Sequence, residues 1–310
     1  MATRSRRAVL SLTTRFCLPH EGMTTLDYLS RHASMSLYIL LTQPLLLHAS
    51  SAASQTSSAA NSLSVVTCQH VACPWLFPKY FAATWDWLQF VNEDFVQHSL
   101  QLLAVDETTL KGPSNTAHSK PEVLLELPLA PQVRVHEDRD LALLTLDAKA
   151  VKDWEHVAHK LGLEALELRD EDCKEGEELF YSGHRQFKDE EEEGFQVPTA
   201  VEGHFVGRSK SGQEFAWSQE LLEEGMCGGA VVGATGECVG IVEGIVPPRA
   251  NSLDDEDIEP PNHDREAHAA WQMREALAGH VAFVPSTDVR AFIEQPGSLV
   301  LTGMDLPPGM

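Results

Sequence analysis

The chain has 310 residues, enough for one large domain or two smaller ones with a substantial core, and 43% of them are hydrophobic, as in ordinary globular proteins. Its 46 Asp and Glu residues outnumber 23 Lys and Arg residues, which gives a formal net charge of −23. This negative charge argues against nucleic acid or an anionic membrane as the main partner, because both require basic surfaces.

The N-terminus differs from this acidic body. The first twenty residues, MATRSRRAVLSLTTRFCLPH, carry four arginines and no acidic residue. This composition resembles a mitochondrial transit peptide, so we expect residues 1–33 to form a leader or a disordered N-terminus and the protein to be intracellular, in mitochondria. A twin-arginine export signal around SRRAVL and a plain basic tail are the alternatives. Since no run reaches about eighteen apolar residues, no integral membrane segment is predicted.

Six cysteines are spread unevenly along the chain: Cys17, Cys68, Cys73, Cys173, Cys227 and Cys238. They are too sparse for a disulfide framework in a chain of this size. Reduced thiols in an intracellular compartment fit this distribution better.

Short apolar or alternating runs, bounded by Pro, Gly and charged residues, predict many strands. In chain order they are SMSLYILL (35–42), SLSVVTCQHVA (62–72), EVLLELPL (122–129), PQVRVHE (131–137), DLALLTL (140–146), ELFYSGH, FQVPTAVEGHFVG, EFAWSQ, AVVGA, ECVGIVEGIV and HVAFVP. The three runs between residues 122 and 146 are typical of a β-meander. A chain with so many short strands is expected to form a barrel or a sandwich.

Helices are predicted at three places, and two further segments are expected to be loops. Helical spacing or composition marks VKDWEHVAHKLGLEAL (151–166), AHAAWQMREALAG (267–279) and STDVRAFIEQ, the last capped by Ser286 or Thr287. The aromatic stretch 75–91 fits either a helix or a buried insertion. Small residues over 48–62 and the acidic, Pro-containing insert 247–266 predict loops.

One glycine-rich stretch, GMCGGAVVGATGECVGIVEGIV (225–246), resembles the nucleophile loop of trypsin-like serine peptidases, a G-x-S-G-G turn that runs into an apolar strand. Cys227 occupies the position of the serine. A thiol nucleophile needs a base to take its proton and a carboxylate to orient that base. The loop therefore predicts a histidine and an acid elsewhere in the chain.

Two upstream segments supply these groups. SVVTCQHVA resembles the V-T-x-x-H-V segment around the catalytic histidine of the same peptidases and places His70 directly after a strand. DRDLALL resembles their D-[LI]-A-[LV]-[LI] strand and places Asp140 in front of an apolar run; Asp138 is the alternative acid. The order His70, Asp140, Cys227 is that of chymotrypsin-like enzymes.

A fourth segment, GHVAFVPSTDVRAFIE (279–294), resembles the end of the HtrA/Deg peptidase domain. The resemblance implies an all-β fold of two six-stranded antiparallel β-barrels with a C-terminal helix. We expect the peptidase domain over residues 34–295, with the first barrel at about 34–150, the second at about 165–285, and residues 296–310 as a tail.

The resemblance also implies roles for individual residues. Cys227 is the nucleophile, His70 the base and Asp140 the group that orients it, while the N–H groups of Gly225 and Cys227 form the oxyanion hole. No cofactor and no metal is implied. The expected partners are protein or peptide substrates, and nothing in the sequence predicts the oligomeric state.

Two other interpretations stay open. The strand that usually precedes the catalytic histidine is replaced by ASQTSSAAN (53–61), which favours an inactive peptidase fold that acts as a protein-binding module. CQHVAC (68–73) contains natural zinc ligands and could form half of a metal site, although no second ligand pair lies at suitable spacing.

Overall fold

The computed structural model describes residues 10–16, 38–42, 45–48, 63–81, 86–93, 96–104, 121–146, 148–161, 166–188, 194–210, 212–247, 264–294 and 299–302. Within these ranges the chain forms fourteen β-strands and four α-helices.

The first half of the molecule is an antiparallel sheet. Its strands are β1 (Leu10–Phe16), β2 (Tyr38–Thr42), β3 (Leu45–His48), β4 (Leu63–Thr67), β5 (Val96–Leu103), β6 (Val123–Val135) and β7 (Ala142–Leu146). They lie in the order β2-β1-β5-β6-β7-β4-β3, and β14 (Leu299–Thr302) joins as an eighth strand by pairing with β6.

Chain connectivity requires this sheet to curl. β2 and β3 stand at opposite ends of the strand path, although Thr42 and Leu45 are only three residues apart. Three consecutive Cα spacings reach at most about 11 Å. Six inter-strand spacings of roughly 4.8 Å would put the two ends about 29 Å apart in a flat sheet. The sheet therefore bends round until its two ends approach each other, as in a barrel.

The second half is a closed six-stranded barrel. It contains β8 (Glu178–Lys188), β9 (Gly194–Arg208), β10 (Glu214–Ser218), β11 (Ala230–Gly233), β12 (Cys238–Ile245) and β13 (Val281–Pro285), in the order β10-β13-β12-β11-β8-β9. Closure pairs every strand on both sides and removes exposed sheet edges. Leu179, Tyr181 and Phe283 are fully buried in its own apolar cluster.

A second apolar cluster joins the two halves. It contains Val65 and Leu144 from the sheet together with Ile241 and the nucleophile-loop residue Cys227 from the barrel. A polar contact adds to it, because the buried Ser11 hydroxyl donates to the Gln196 side chain at 2.5 Å. The two halves thus pack on one continuous core.

Helices connect and brace the two halves. α1 (Gln69–Ala72) is a single turn after β4, and α2 (Ala148–Leu161) links the sheet to the barrel while packing on β6 and β7. α3 (Arg265–Ala276) begins at an Asp264 cap, and α4 (Ser286–Glu294) packs on β12 and β13. None of the described helices is long and apolar enough to cross a membrane.

The mostly-β, two-barrel architecture confirms the fold class expected from the sequence. The first half differs in detail, because it is an eight-stranded sheet rather than a six-stranded barrel. Two of the extra strands come from the chain ends: β1 lies inside the expected leader and β14 inside the expected tail. β1 pairs with β2 and β5, and its Leu10 and Leu12 are buried, so this segment is an interior strand of the sheet.

Other predicted elements differ at their boundaries. The runs 122–129 and 131–137 form one strand, β6, whose pairing with β7 is irregular between Leu129 and Val133. Pro131 lies in that irregular stretch, where a strand tolerates proline because no ladder hydrogen bond is lost. Ser286 does not cap α4: it lies inside the helix and its hydroxyl donates to the Arg169 carbonyl. The aromatic stretch contains short 3₁₀ turns at Pro74–Leu76 and Asp86–Phe90.

Both expected loops, and an acidic run between two predicted strands, lie wholly or mostly outside the described residues. They are the small-residue segment 48–62, including the stretch 53–61 that replaces the usual strand, the acidic run 188–194, and the acidic insert 247–266.

Candidate active site

His70 is positioned by the transition from β4 to α1. The β-branched run of β4 ends at Thr67, and the chain then closes one helical turn, in which Ala72 N–H donates to the Cys68 carbonyl at 3.0 Å. His98 on β5 fixes the end of this turn, since its Nε2 lies 2.8 Å from the Ala72 carbonyl. Burial lowers the pKa of His98 to about 4, despite that hydrogen bond, so its ring is neutral.

Asp140 is bonded to His70 in two ways. The imidazole Nδ1 lies 2.5 Å from Asp140 Oδ2, and the backbone N–H of His70 donates to Oδ1 at 2.9 Å. Both side chains are about 15% exposed, at 14% and 16%. This double contact fixes the plane of the ring and favours the tautomer with its proton on Nδ1, the nitrogen that faces the carboxylate.

The loop that carries Asp140 is braced from two directions. His136 accepts two backbone hydrogen bonds through Nδ1, from Asp138 and Arg139, which closes a tight turn before β7. Arg139 then forms an ion pair with Asp288 of α4 at 2.8 Å. Asp138 is exposed, and it is Asp140 that contacts the histidine.

Cys227 lies in a loop held against β12. A 3₁₀ turn, Glu224–Met226, leads into it, and two backbone hydrogen bonds fasten its far side: Gly228 N–H donates to the Val242 carbonyl at 2.8 Å, and Val242 N–H donates to Gly229 at 2.9 Å. The loop is thus an extension of the barrel core and has little freedom to move.

Two glycines are required by this geometry. Gly228 has φ of +81°, a left-handed conformation that side chains rarely adopt. A Cβ on Gly225 would lie 2.7 Å from the His184 carbonyl oxygen, closer than real contacts allow. Glycine at these two positions lets the chain turn sharply on either side of Cys227.

The histidine, the acid and the cysteine line one cleft of about 930 Å³ between the two halves. Its walls are largely apolar and include Leu221, Leu222 and Met226 next to the nucleophile loop. The sequence-predicted residues His70, Asp140, Gly225 and Cys227 therefore come together in a cavity large enough for a segment of peptide.

Electrostatic contacts in the cleft favour a charged imidazole. Burial alone would lower the pKa of His70, but hydrogen bonds to Asp140 and Cys227 outweigh it and raise that pKa to about 10. An imidazolium between a carboxylate and a thiol can hold a neighbouring thiolate. Asp140 and Cys227 thus both favour the protonated form of His70.

The sequence interpretation missed several groups in this cleft. Phe77 and Tyr80, from the stretch after α1, pack against the His70 ring at centroid distances of 6.4 and 5.7 Å. Glu243 on β12 also lines the cleft, and burial together with the charge of Asp140 raises the pKa of its carboxyl group. A single acid inside the apolar run CVGIVEGIV was the signal available for Glu243.

Cys68 is the second thiol at the site. It is fully buried and its thiol donates to the Val242 carbonyl at 3.0 Å, the same carbonyl that holds Gly228. Burial, together with the charges of Asp140 and Cys227, raises the pKa of Cys68 well above its usual value. Cys68 is therefore a neutral thiol under the nucleophile loop.

Comparison with protein families assigns the chain. Residues 56–241, which include His70, Asp140 and Cys227, match the trypsin-like peptidase domain. The chain belongs to this family. A peptidase domain implies protein or peptide substrates. No curated protein matches the sequence significantly.

Several solved protease structures align with this trypsin-like domain at low identity. They include the inactive form of the Rv3671c protease, with 11% identity, a TM-score of 0.38, and coverage of 93% of this chain and 88% of that one. The active form, from M. tuberculosis, has 13% identity and a TM-score of 0.39, with coverage of 95% of this chain and 83% of that one. A serine endoprotease from Yersinia pestis has 13% identity and a TM-score of 0.42, with coverage of 93% of this chain and 63% of that one. Family membership rests on the match over residues 56–241.

Proposed function

We propose that this trypsin-like domain is an endopeptidase that cleaves peptide bonds with Cys227 as nucleophile, His70 as general base and acid, and Asp140 as the group that orients His70. The observation that carries the proposal is the double hydrogen bond between His70 and Asp140 in a cleft that Cys227 also lines. The same three residues line a cleft of peptide size.

Acylation begins when the Cys227 proton passes to His70. The Cys227 sulfur then attacks the carbonyl carbon of the scissile bond and forms a C–S bond, while the carbonyl electron pair moves to oxygen. When this tetrahedral intermediate collapses, the C–N bond breaks and His70 returns the proton to the leaving nitrogen. The products of this step are a free amine and a thioester on Cys227.

Deacylation reverses these roles. A water molecule gives a proton to His70 and attacks the thioester carbon. The C–S bond breaks, the Cys227 sulfur recovers the proton, and the carboxylic acid leaves. Asp140 keeps the Nδ1 proton in place throughout, so that the other ring nitrogen handles the transferred proton.

Stabilisation of the tetrahedral oxyanion is assigned to the backbone N–H groups of Gly225 and Cys227. Two glycines support this role, because they fix the turn that carries both amides. Gly225 has no room for a Cβ beside the His184 carbonyl, and Gly228 has a left-handed conformation. Preorganised donors of this kind contribute about 10²–10³ in rate each.

The test is cleavage of a fluorogenic peptide mixture by the wild type and by Cys227→Ala. We expect the substitution to lower kcat by several orders of magnitude, up to roughly 10⁶-fold. The matched control is Cys173→Ala, which removes a thiol that does not line the cleft and should leave cleavage unchanged. A wild type that binds peptides without cleaving them would contradict the proposal and favour an inactive, protein-binding peptidase fold.

A further inference from the structure

A cluster of metal-binding atoms lies behind the proposed catalytic groups. One ligand atom each from Cys68, His70 and Asp140 lie within 4.8 Å of one another. The sequence supplied only Cys68 and His70 as neighbours in CQHVAC, and the third ligand comes from Asp140, 70 residues further on. Cys73, the other cysteine of that segment, is not part of the cluster.

We propose that this cluster is a zinc-binding site in which Cys68, His70 and Asp140 hold Zn²⁺. Thiolate, imidazole and carboxylate are the three ligand types that zinc takes in proteins. The bond lengths of about 2.0–2.3 Å in a tetrahedral site place ligand atoms roughly 3.3–3.8 Å apart. Atoms within 4.8 Å reach that spacing when the hydrogen bond between His70 Nδ1 and Asp140 Oδ2, now 2.5 Å long, opens to admit the ion.

Cys227 is not part of this cluster. Three protein ligands leave the fourth tetrahedral position to a water molecule from the cleft, as in zinc sites that keep an open coordination position.

The ion has a route to this site. Cys68 is fully buried, but His70, Asp140 and Cys227 all line the cleft of about 930 Å³, so the ion enters from the cleft and meets the buried thiol last. Binding releases the Cys68 proton that is now donated to Val242 and replaces that hydrogen bond by a sulfur–zinc bond.

Zinc at this position would act as a reversible inhibitor, an effect that rests on the proposed function. The ion would hold a nitrogen of the imidazole that must carry the proton and the Asp140 carboxylate that orients this imidazole. Removal of zinc by a chelator restores both groups, so zinc availability would set the active fraction of the enzyme.

The experiment is a titration of the purified full-length chain with Co²⁺, followed by displacement with Zn²⁺. Cobalt bound by thiolates gives near-ultraviolet charge-transfer absorption that grows with the number of sulfur ligands. We expect one metal ion per chain with one sulfur ligand, that of Cys68. Cys68→Ser should weaken binding by more than the roughly 10–100-fold that loss of an outer-shell partner costs, and should lower the absorption per bound ion.

Cys73→Ser is the matched control, since Cys73 is equally buried and lies five residues from Cys68 but outside the cluster. It should bind Co²⁺ as the wild type does. Cys68→Ala provides a second variant if the serine disturbs folding, with the circular dichroism spectrum as the check on both. Affinity and absorption in a folded Cys68 variant equal to those of the wild type would overturn the site, as would a wild type that binds neither ion.

The two proposals fail separately. Peptide cleavage that is intact and insensitive to zinc would refute the zinc site while the peptidase stands. Zinc binding that depends on Cys68 in a chain without any cleavage would refute the peptidase and keep the site.

Discussion

The two halves of the molecule differ in how much of the chain each one needs. The closed barrel takes its six strands from residues 178–285, and each strand pairs with two neighbours from the same set. The eight-stranded sheet collects strands from both ends of the chain, from β1 at Leu10–Phe16 to β14 at Leu299–Thr302. The barrel carries Cys227, and the sheet carries His70 and Asp140. The nucleophile therefore lies on a barrel whose strands come from one stretch of the chain, whereas its base lies on a sheet that depends on pairing between distant segments.

The two halves nevertheless share a core, which predicts how core substitutions act in each of them. Leu144 in the sheet and Leu179 in the barrel are both fully buried, so replacing either by alanine should cost about 2–5 kcal/mol of unfolding free energy. Because one apolar cluster spans both halves, each variant should still unfold in a single transition when followed by circular dichroism in denaturant. Two separate transitions in either variant would contradict a shared core.

The nucleophile loop offers the next largest effect. In Gly225→Ala the new methyl group would meet the His184 carbonyl at 2.7 Å, so the loop must shift and the amides of residues 225 and 227 with it. We expect kcat for peptide cleavage to fall about 10²–10³-fold. Gly207→Ala, where a Cβ meets nothing within 4 Å, is the control and should change stability by no more than about 0.5 kcal/mol. Equal activity in the two variants would argue against this oxyanion hole.

The raised pKa of His70 also predicts how the rate of peptide cleavage depends on pH. Hydrogen bonds to Asp140 and Cys227 outweigh burial and raise the pKa of His70 to about 10, so the imidazolium persists below that pH and is lost above it. The kcat/KM for peptide cleavage should therefore fall about tenfold per pH unit above pH 10. In Asp140→Asn this alkaline limb should move to lower pH, because the carboxylate that favours the proton is gone. Coincident limbs in the two proteins would contradict the assignment.

The smallest effect is expected at the brace between the acid loop and α4. Arg139 and Asp288 form an ion pair that is partly exposed, and such pairs contribute about 0.2–1 kcal/mol. A double-mutant cycle with Arg139→Ala and Asp288→Ala, measured by denaturant unfolding, should give a coupling energy in that range. A coupling energy well above 1 kcal/mol would mean that this brace is stronger than an ordinary exposed ion pair.

The sequence identified the parts of the site that local pattern determines. His70 follows a strand and Asp140 precedes one, as the motifs TCQHV and DRDLALL predicted, because a short apolar run and its boundary are local properties. The glycines around Cys227 were predicted for a sharp turn, and their conformations agree. The division of the strands into two barrels followed from the resemblance rather than from the residues.

Long-range pairing was the part that the sequence did not reveal. β1 was interpreted as part of a leader because the first twenty residues carry four arginines and no acidic residue, a composition that does not reveal the burial of Leu10 and Leu12. β5 was not predicted because polar Gln97, His98 and Gln101 interrupt its apolar residues, although His98 is buried to hold α1. The approach of Cys68 to Asp140 likewise depends on folding, since these residues are 72 positions apart in the sequence (140 − 68).

The most direct test of the central claim is the rate at which an iodoacetamide probe labels each thiol, mapped by mass spectrometry. Cys227 is 9% exposed and Cys173 is more exposed, so accessibility alone favours Cys173. If His70 activates Cys227, labelling of Cys227 should be faster than that of Cys173 and should lose this advantage in His70→Ala. Labelling of Cys227 that is slower than that of Cys173, or unchanged in His70→Ala, would contradict a working cysteine nucleophile.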